Sequence, residues 1–165
     1  MRRMQAAGID AYGGEVRVLE LVAPASPAPD EVVISVRAAG VGNWDEIVRV
    51  GGWDVGRRPP LALGVEAAGV VAAVGDDVTG LAPGDAVLTH PLPLRHQGAW
   101  AEWLVAPAAL VARKPAAVPW AAAAAYRCRH SPPTRRSPRP PLSGGQTQLA
   151  SAAARFDQHT WQGTT

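Results

Sequence analysis

Cysteine is nearly missing from this chain: Cys128 is the only one in 165 residues. A single thiol can neither close an internal disulfide nor build a cysteine-rich zinc site, and it fits a reducing compartment. Lysine is as scarce, with Lys114 alone. Phe occurs once and Tyr twice against six Trp, so any aromatic part of a core rests on tryptophan. No apolar run is long enough to cross a bilayer, so no membrane span and no membrane partner is expected. The basic Met1-Arg2-Arg3-Met4 start is not followed by the apolar stretch of a secretory signal, and a cytoplasmic location is the expectation.

What is present suits one domain. Hydrophobic residues make up 47% of the chain, enough for a single core at this length. The net charge of +2 conceals a split: residues 1–125 hold 10 Lys+Arg against 13 Asp+Glu, whereas residues 126–165 hold six Arg against one acid. Composition changes sharply near Tyr126. From there the chain runs Ser131-Pro132-Pro133-Thr134-Arg135-Arg136-Ser137-Pro138-Arg139-Pro140-Pro141. Such a segment can neither donate a regular ladder of N–H bonds nor build an apolar face, so it is expected to be disordered. A basic tail invites a nucleic-acid arm. However, Phe156 and Trp161 are the only aromatics beyond Tyr126 and no lysine follows it, so no nucleic-acid partner is expected. Leu142-Ser143-Gly144-Gly145-Gln146 matches the signature loop of ABC-type ATPases, but the phosphate-binding Gly-x-x-x-x-Gly-Lys loop on which it depends is absent.

Before Tyr126 the pattern is mostly β. Val32, Ile34, Val36 and Ala38 alternate with Glu31, Val33, Ser35 and Arg37, the period of a half-buried strand. Val70 to Val74 ends at the turn signal Gly75-Asp76-Asp77, and Asp85 to Thr89 follows Pro83-Gly84. Trp100 to Val105 and Leu110 to Ala112 are further strands. Asn43 with Glu46 three residues on predicts a capped helix that places Ile47 and Val50 on one face and stops at Gly51-Gly52. A second helix is predicted to start at Val118-Pro119 and run to Ala125. Short strands separated by turns suggest a barrel or sandwich.

Four patches, in order, resemble the medium-chain dehydrogenase/reductase superfamily. They are Glu31 to Val41 followed by Asp45, Gly64-Val65-Glu66-Ala67-Ala68-Gly69-Val70-Val71, Gly80-Leu81-Ala82-Pro83-Gly84-Asp85-Ala86-Val87, and Gly98-Ala99-Trp100-Ala101-Glu102-Trp103. The resemblance covers residues 4–125. It implies a mainly β fold, a GroES-like, partly open β-barrel with one or two short helices, to which the composition adds a disordered C-terminal tail. It also implies three parts: a GroES-like substrate domain over 1–117, the start of a linker helix toward a nucleotide-binding domain over 118–125, and the Arg/Pro/Ser-rich tail over 126–165.

Zinc-dependent members of the superfamily place a cysteine where this chain has Gly42 and a histidine where it has Val65. Neither side chain offers a lone pair, so a catalytic zinc with three protein ligands is not expected. The resemblance is therefore to the zinc-independent, quinone-oxidoreductase-like branch. It implies NADPH-dependent reduction of a quinone, enone or related carbonyl in the intact parent. Asn43, Trp44 and Asp45 fall at the family's substrate-facing corner, and with Trp53 they are the expected substrate-binding residues; no catalytic residue is assigned. Asn43 either donates to a carbonyl oxygen or caps its helix, and Trp44 and Trp53 either line an apolar pocket or pack the helix. Glu66 is expected to be structural, and His90 and His96 to be ordinary loop histidines.

No Gly-x-Gly-x-x-Gly turn follows residue 120, so this chain alone is not expected to bind NADPH or to be active. A one-base slip in the alanine codons before Tyr126 would account for the tail: with free choice of third bases, residues 126–131 read in the shifted frame as Leu-Pro-Val-Ser-Ala-Leu, similar to the family's continuation. An apolar face left uncovered predicts self-association. The rival reading is a non-enzymatic β-barrel module that holds a small apolar ligand or a protein partner.

Overall fold

The computed structural model describes residues 2–125. The disorder expected of the tail, its shifted frame and Cys128 all lie outside the described residues. Eight strands are β1 (Arg3–Ile9), β2 (Arg17–Val22), β3 (Glu31–Ala39), β4 (Leu61–Ala62), β5 (Ala67–Val74), β6 (Ala86–Thr89), β7 (Trp103–Pro107) and β8 (Val111–Arg113). Two short helices, α1 (Asn43–Arg49) and α2 (Trp120–Ala124), complete the described residues with a 3-10 turn at Ala108–Leu110.

The strands form two antiparallel sheets, a three-stranded one ordered β2-β1-β4 and a five-stranded one ordered β7-β3-β5-β6-β8. The segment between Gly98 and Glu102 stitches them together. The Ala7 N–H donates to Trp100 O, the Glu102 N–H to Gln5 O, and the Val36 N–H back to Glu102 O. Neither ladder closes on itself, so the mainly β, partly open fold with two short helices is as the sequence implied.

Alternation in β3 is only half of its pattern. Val32 and Ile34 enter the main core with Val71, Val87 and Leu104, yet Val33 and Glu31 on the opposite face are buried as well. The reason is position: β3 is paired on both sides, by β5 and by β7. Each of these fully buried aliphatic side chains contributes about 1.5–3 kcal/mol. Strand β5 begins at Ala67, three residues before the apolar run that announces it, because Ala67, Ala68 and Gly69 are small enough for β3 to lie close.

Helix α1 departs from its prediction in two ways. Its cap is Gly42, one residue before Asn43, and the reciprocal bond comes from Asp45, whose carboxylate accepts the Gly42 N–H at 2.8 Å. Its buried face carries Asp45 and Val48, whereas Ile47 and Val50 are 43% and 51% exposed. Val48 packs into a second core with Ile9, Val55, Leu61, Leu63, Val65 and Leu94. Helix α2 lies across the five-stranded sheet, where Ala123 and Ala124 meet Ala68 and Leu88.

Candidate functional site

The corner between the N-terminus of α1 and the start of β5 brings two buried carboxyl side chains, Asp45 and Glu66, close together. Asp45 and Glu66 are 3% and 4% exposed. Helix α1 carries the first, and the β4–β5 connection carries the second. His90, at the end of β6, faces Glu66 because the antiparallel β5–β6 register that pairs Ala67 with Thr89 continues one step further. Its Nδ1 lies 3.5 Å from Glu66 Oε1, an electrostatic contact too long or too poorly angled to count as a hydrogen bond.

Three atoms of this cluster, Asp45 Oδ1, Glu66 Oε1 and His90 Nδ1, are buried without a hydrogen-bond partner. Burial pushes the Asp45 carboxyl up from 3.8 to about 6, and the neighbouring Glu66 adds to the rise, while the amides of Gly42 and Gly64 pull the other way. The corner is thus an expensive arrangement that the surrounding structure holds in place, and such strain concentrates where chemistry or binding happens.

Trp44 closes the corner. Its indole lies against Gly42, so that a Cβ at residue 42 would overlap the ring. The same indole packs with Leu92 and Trp100 against the second core, and Trp100 Nε1 donates to Gly40 O at 2.8 Å. Of the four residues expected to bind substrate, Trp44 and Asp45 turn inward, while Asn43 and Trp53 are exposed. The structure therefore brings Trp44 and Asp45 together and leaves Asn43 and Trp53 on the surface nearby in sequence.

Zinc does not fit here. Gly42 and Val65 offer no side-chain ligand, and the Trp44 indole occupies the space that a side chain at residue 42 would need. Among the described residues no group of three or more His, Cys, Asp or Glu is placed to hold a metal ion. His90 and His96 do not converge either, since His96 Nε2 sits 3.2 Å from both oxygens of Glu31, on a different buried acid.

Sequence reasoning treated the two histidines as plain loop residues and missed that each meets a buried glutamate. The His90–Glu66 contact was recoverable from the strand register; the His96–Glu31 contact spans 65 residues and left no local signal. It also passed over Arg57 and Arg58, which line an open groove with Asp54 and Gly56.

The model of the alcohol dehydrogenase GroES-like domain matches residues 28–116. Human synaptic vesicle membrane protein VAT-1 homolog-like is 34% identical over 127 residues, spanning 76% of this chain and 29% of that protein. Its crystal structure superposes with a TM-score of 0.68 and 32% identity, covering 76% of this chain and 40% of that one. A quinone oxidoreductase of Pseudomonas syringae matches with a TM-score of 0.60 and 32% identity over 74% of this chain and 36% of its own. A mycobacterial protein solved in complex with NADPH gives 0.61 and 32% over 73% of this chain and 37% of its own. This chain spans less than a third of the length of the curated relatives it matches first. The chain belongs to the alcohol dehydrogenase GroES-like domain family, and within it to the zinc-independent, quinone-oxidoreductase-like branch.

Proposed function

We propose that this chain is the substrate-side domain of an NADPH-dependent, zinc-independent reductase of quinones, enones or related carbonyls. The observation that carries the reading is the α1 corner: the metal-ligand positions are Gly42 and Val65, and Trp44 fills the space beside Gly42. Without a metal to polarise the carbonyl, orientation falls to side-chain donors and aromatic walls. Asn43, at the exposed mouth of the corner, is the donor for a carbonyl oxygen, and Trp53, 37% exposed, is the aromatic wall. NADPH, when bound to the complete enzyme, supplies hydride.

On this reading residues 1–117 are the substrate domain, residues 118–125 lead toward a nucleotide-binding domain, and residues 126–165 are not part of either. The outward face of α1, with Ile47 and Val50, is where that further domain would pack, and left uncovered it favours self-association. Calorimetry with NADPH tests the assignment, comparing this chain with a version in which the family-like frame is restored after Ala125. Binding and quinone turnover in the restored version alone support the proposal. Binding of NADPH by this chain itself would overturn it, and a restored version that binds nothing would favour the non-enzymatic module.

A further inference from the structure

Residues 1–125 hold ten cationic side chains, and most of them are committed. Arg3, Arg17, Arg49, Arg95 and Arg113 are paired with acids. Arg2 lies over Trp103 and Lys114 over Trp120. Among the described residues, Arg37, Arg57 and Arg58 alone have no such partner. Two of these three are adjacent, and together with Asp54 and Gly56 they line an open groove of about 410 Å³.

The backbone beneath that groove is fixed. Val55 is 2% exposed in the second core, and its carbonyl accepts the Leu94 N–H at 2.7 Å. Gly56 has φ +91, and a Cβ there would press on Leu94 O at 3.0 Å, so this loop lies flat against residues 93–94. The Asp54 carboxylate is occupied by the Gly56 N–H at 2.8 Å and forms no ion pair with either arginine. Two unpaired guanidinium groups are thus presented from a segment that needs little further ordering when a ligand arrives.

We propose that Arg57 and Arg58 form a binding site for an anionic group, carboxylate or phosphate, carried by a small molecule. The guanidinium fork matches both oxyanions in planar, two-point geometry. One carboxylate, Asp54, lines the same groove and opposes the anion, leaving two positive charges against one negative. Resting on the reading of this chain as a substrate-side domain, the site makes the substrate an acidic one: a quinone or enone with a carboxylate or phosphate on the part away from the reacting carbonyl.

The test is an NMR titration of the full 165-residue chain, in separate arms with inorganic phosphate and with benzoate, following the Gly56 amide and the arginine side-chain N–H signals. Saturable shifts in either arm are expected, and the arm that saturates names the group. The double variant Arg57→Gln/Arg58→Gln should weaken binding by about ten-fold or more, as loss of charge-assisted hydrogen bonds implies. Asp54→Asn should tighten it, and Arg37→Gln, which removes an equally exposed and unpaired charge elsewhere, should leave it unchanged. Absence of saturation in both arms, or equal weakening by Arg37→Gln, would falsify the site. Both arginines are exposed, so the double variant keeps the fold, and its amide dispersion reports that. The titration needs neither NADPH nor turnover, so its failure and failure of the reductase reading are read separately.

Discussion

Two buried glutamates in this chain each meet a histidine, and they are solved in opposite ways. Glu31 accepts the Ala28 N–H at 3.2 Å, faces Arg95 at 3.4 Å, and has His96 Nε2 at 3.2 Å from both oxygens. Glu66 has His90 at 3.5 Å, an oxygen with no hydrogen bond, and a second buried carboxyl, Asp45, as a neighbour. The first is a pin that holds the loop before β7 to the start of β3. The second is a corner that costs stability and includes Asp45, one of the residues proposed to face the substrate. A buried charge that is fully partnered explains itself structurally; one left short of partners points to use.

Breaking the pin should have the largest effect. Glu31→Ala removes the carboxylate that accepts the Ala28 amide and faces a half-exposed His96 and Arg95, the latter keeping Asp30 as its partner. The expected loss is about 3 kcal/mol of unfolding free energy, read by urea denaturation. A loss below about 1 kcal/mol would mean that water replaces the carboxylate freely and that the pin is no pin.

The corner should respond with the opposite sign. The Asp45 carboxyl is raised by burial to about 6 from 3.8, so folding favours its protonated form. Stability is therefore greatest below the unfolded value and falls as the pH rises through the window from 3.8 to about 6, remaining reduced above it. A shift of that size is worth up to about 3 kcal/mol. Asp45→Asn keeps an acceptor for the Gly42 N–H without the charge. It should stabilise the chain at pH 7 by about 2 kcal/mol and change little at pH 3.5. Equal effects at the two pH values would remove titration of Asp45 from the account.

Sequence carried the pin and the corner unequally. The β3, β5 and β6 strands were legible from alternation and turn signals, and the family patches singled out Asp45 and Glu66 without bringing them together. That Gly42 and Val65 offer no side-chain ligand for zinc could be read from the sequence alone. What escaped was whatever depends on register or on a chain crossing. Strands β1 and β2 went unnoticed, because Ala6, Ala7 and Gly8 give weak alternation and Val18 and Val22 point outward, 68% and 51% exposed. The buried face of α1 was misjudged because a carboxyl, Asp45, occupies a core position that an apolar pattern search passes over. Trp44 was left open between pocket and packing; only the contact with Gly42 shows that it packs where a ligand side chain would stand.

The smallest effect separates the two histidines themselves. His96 lies within reach of both Glu31 oxygens, so His96→Gln should cost about 0.5 kcal/mol, since the ring is half exposed and part of the attraction is screened. His90 touches one oxygen at the limit of an electrostatic contact, so His90→Gln should change stability by no more than about 0.2 kcal/mol. Paired urea denaturation of the two variants measures the difference directly. A larger cost at His90 would reverse the comparison. The imidazole would then be what allows Asp45 and Glu66 to lie buried side by side, and the corner would be a coupled three-group unit rather than two carboxyls with a loose neighbour.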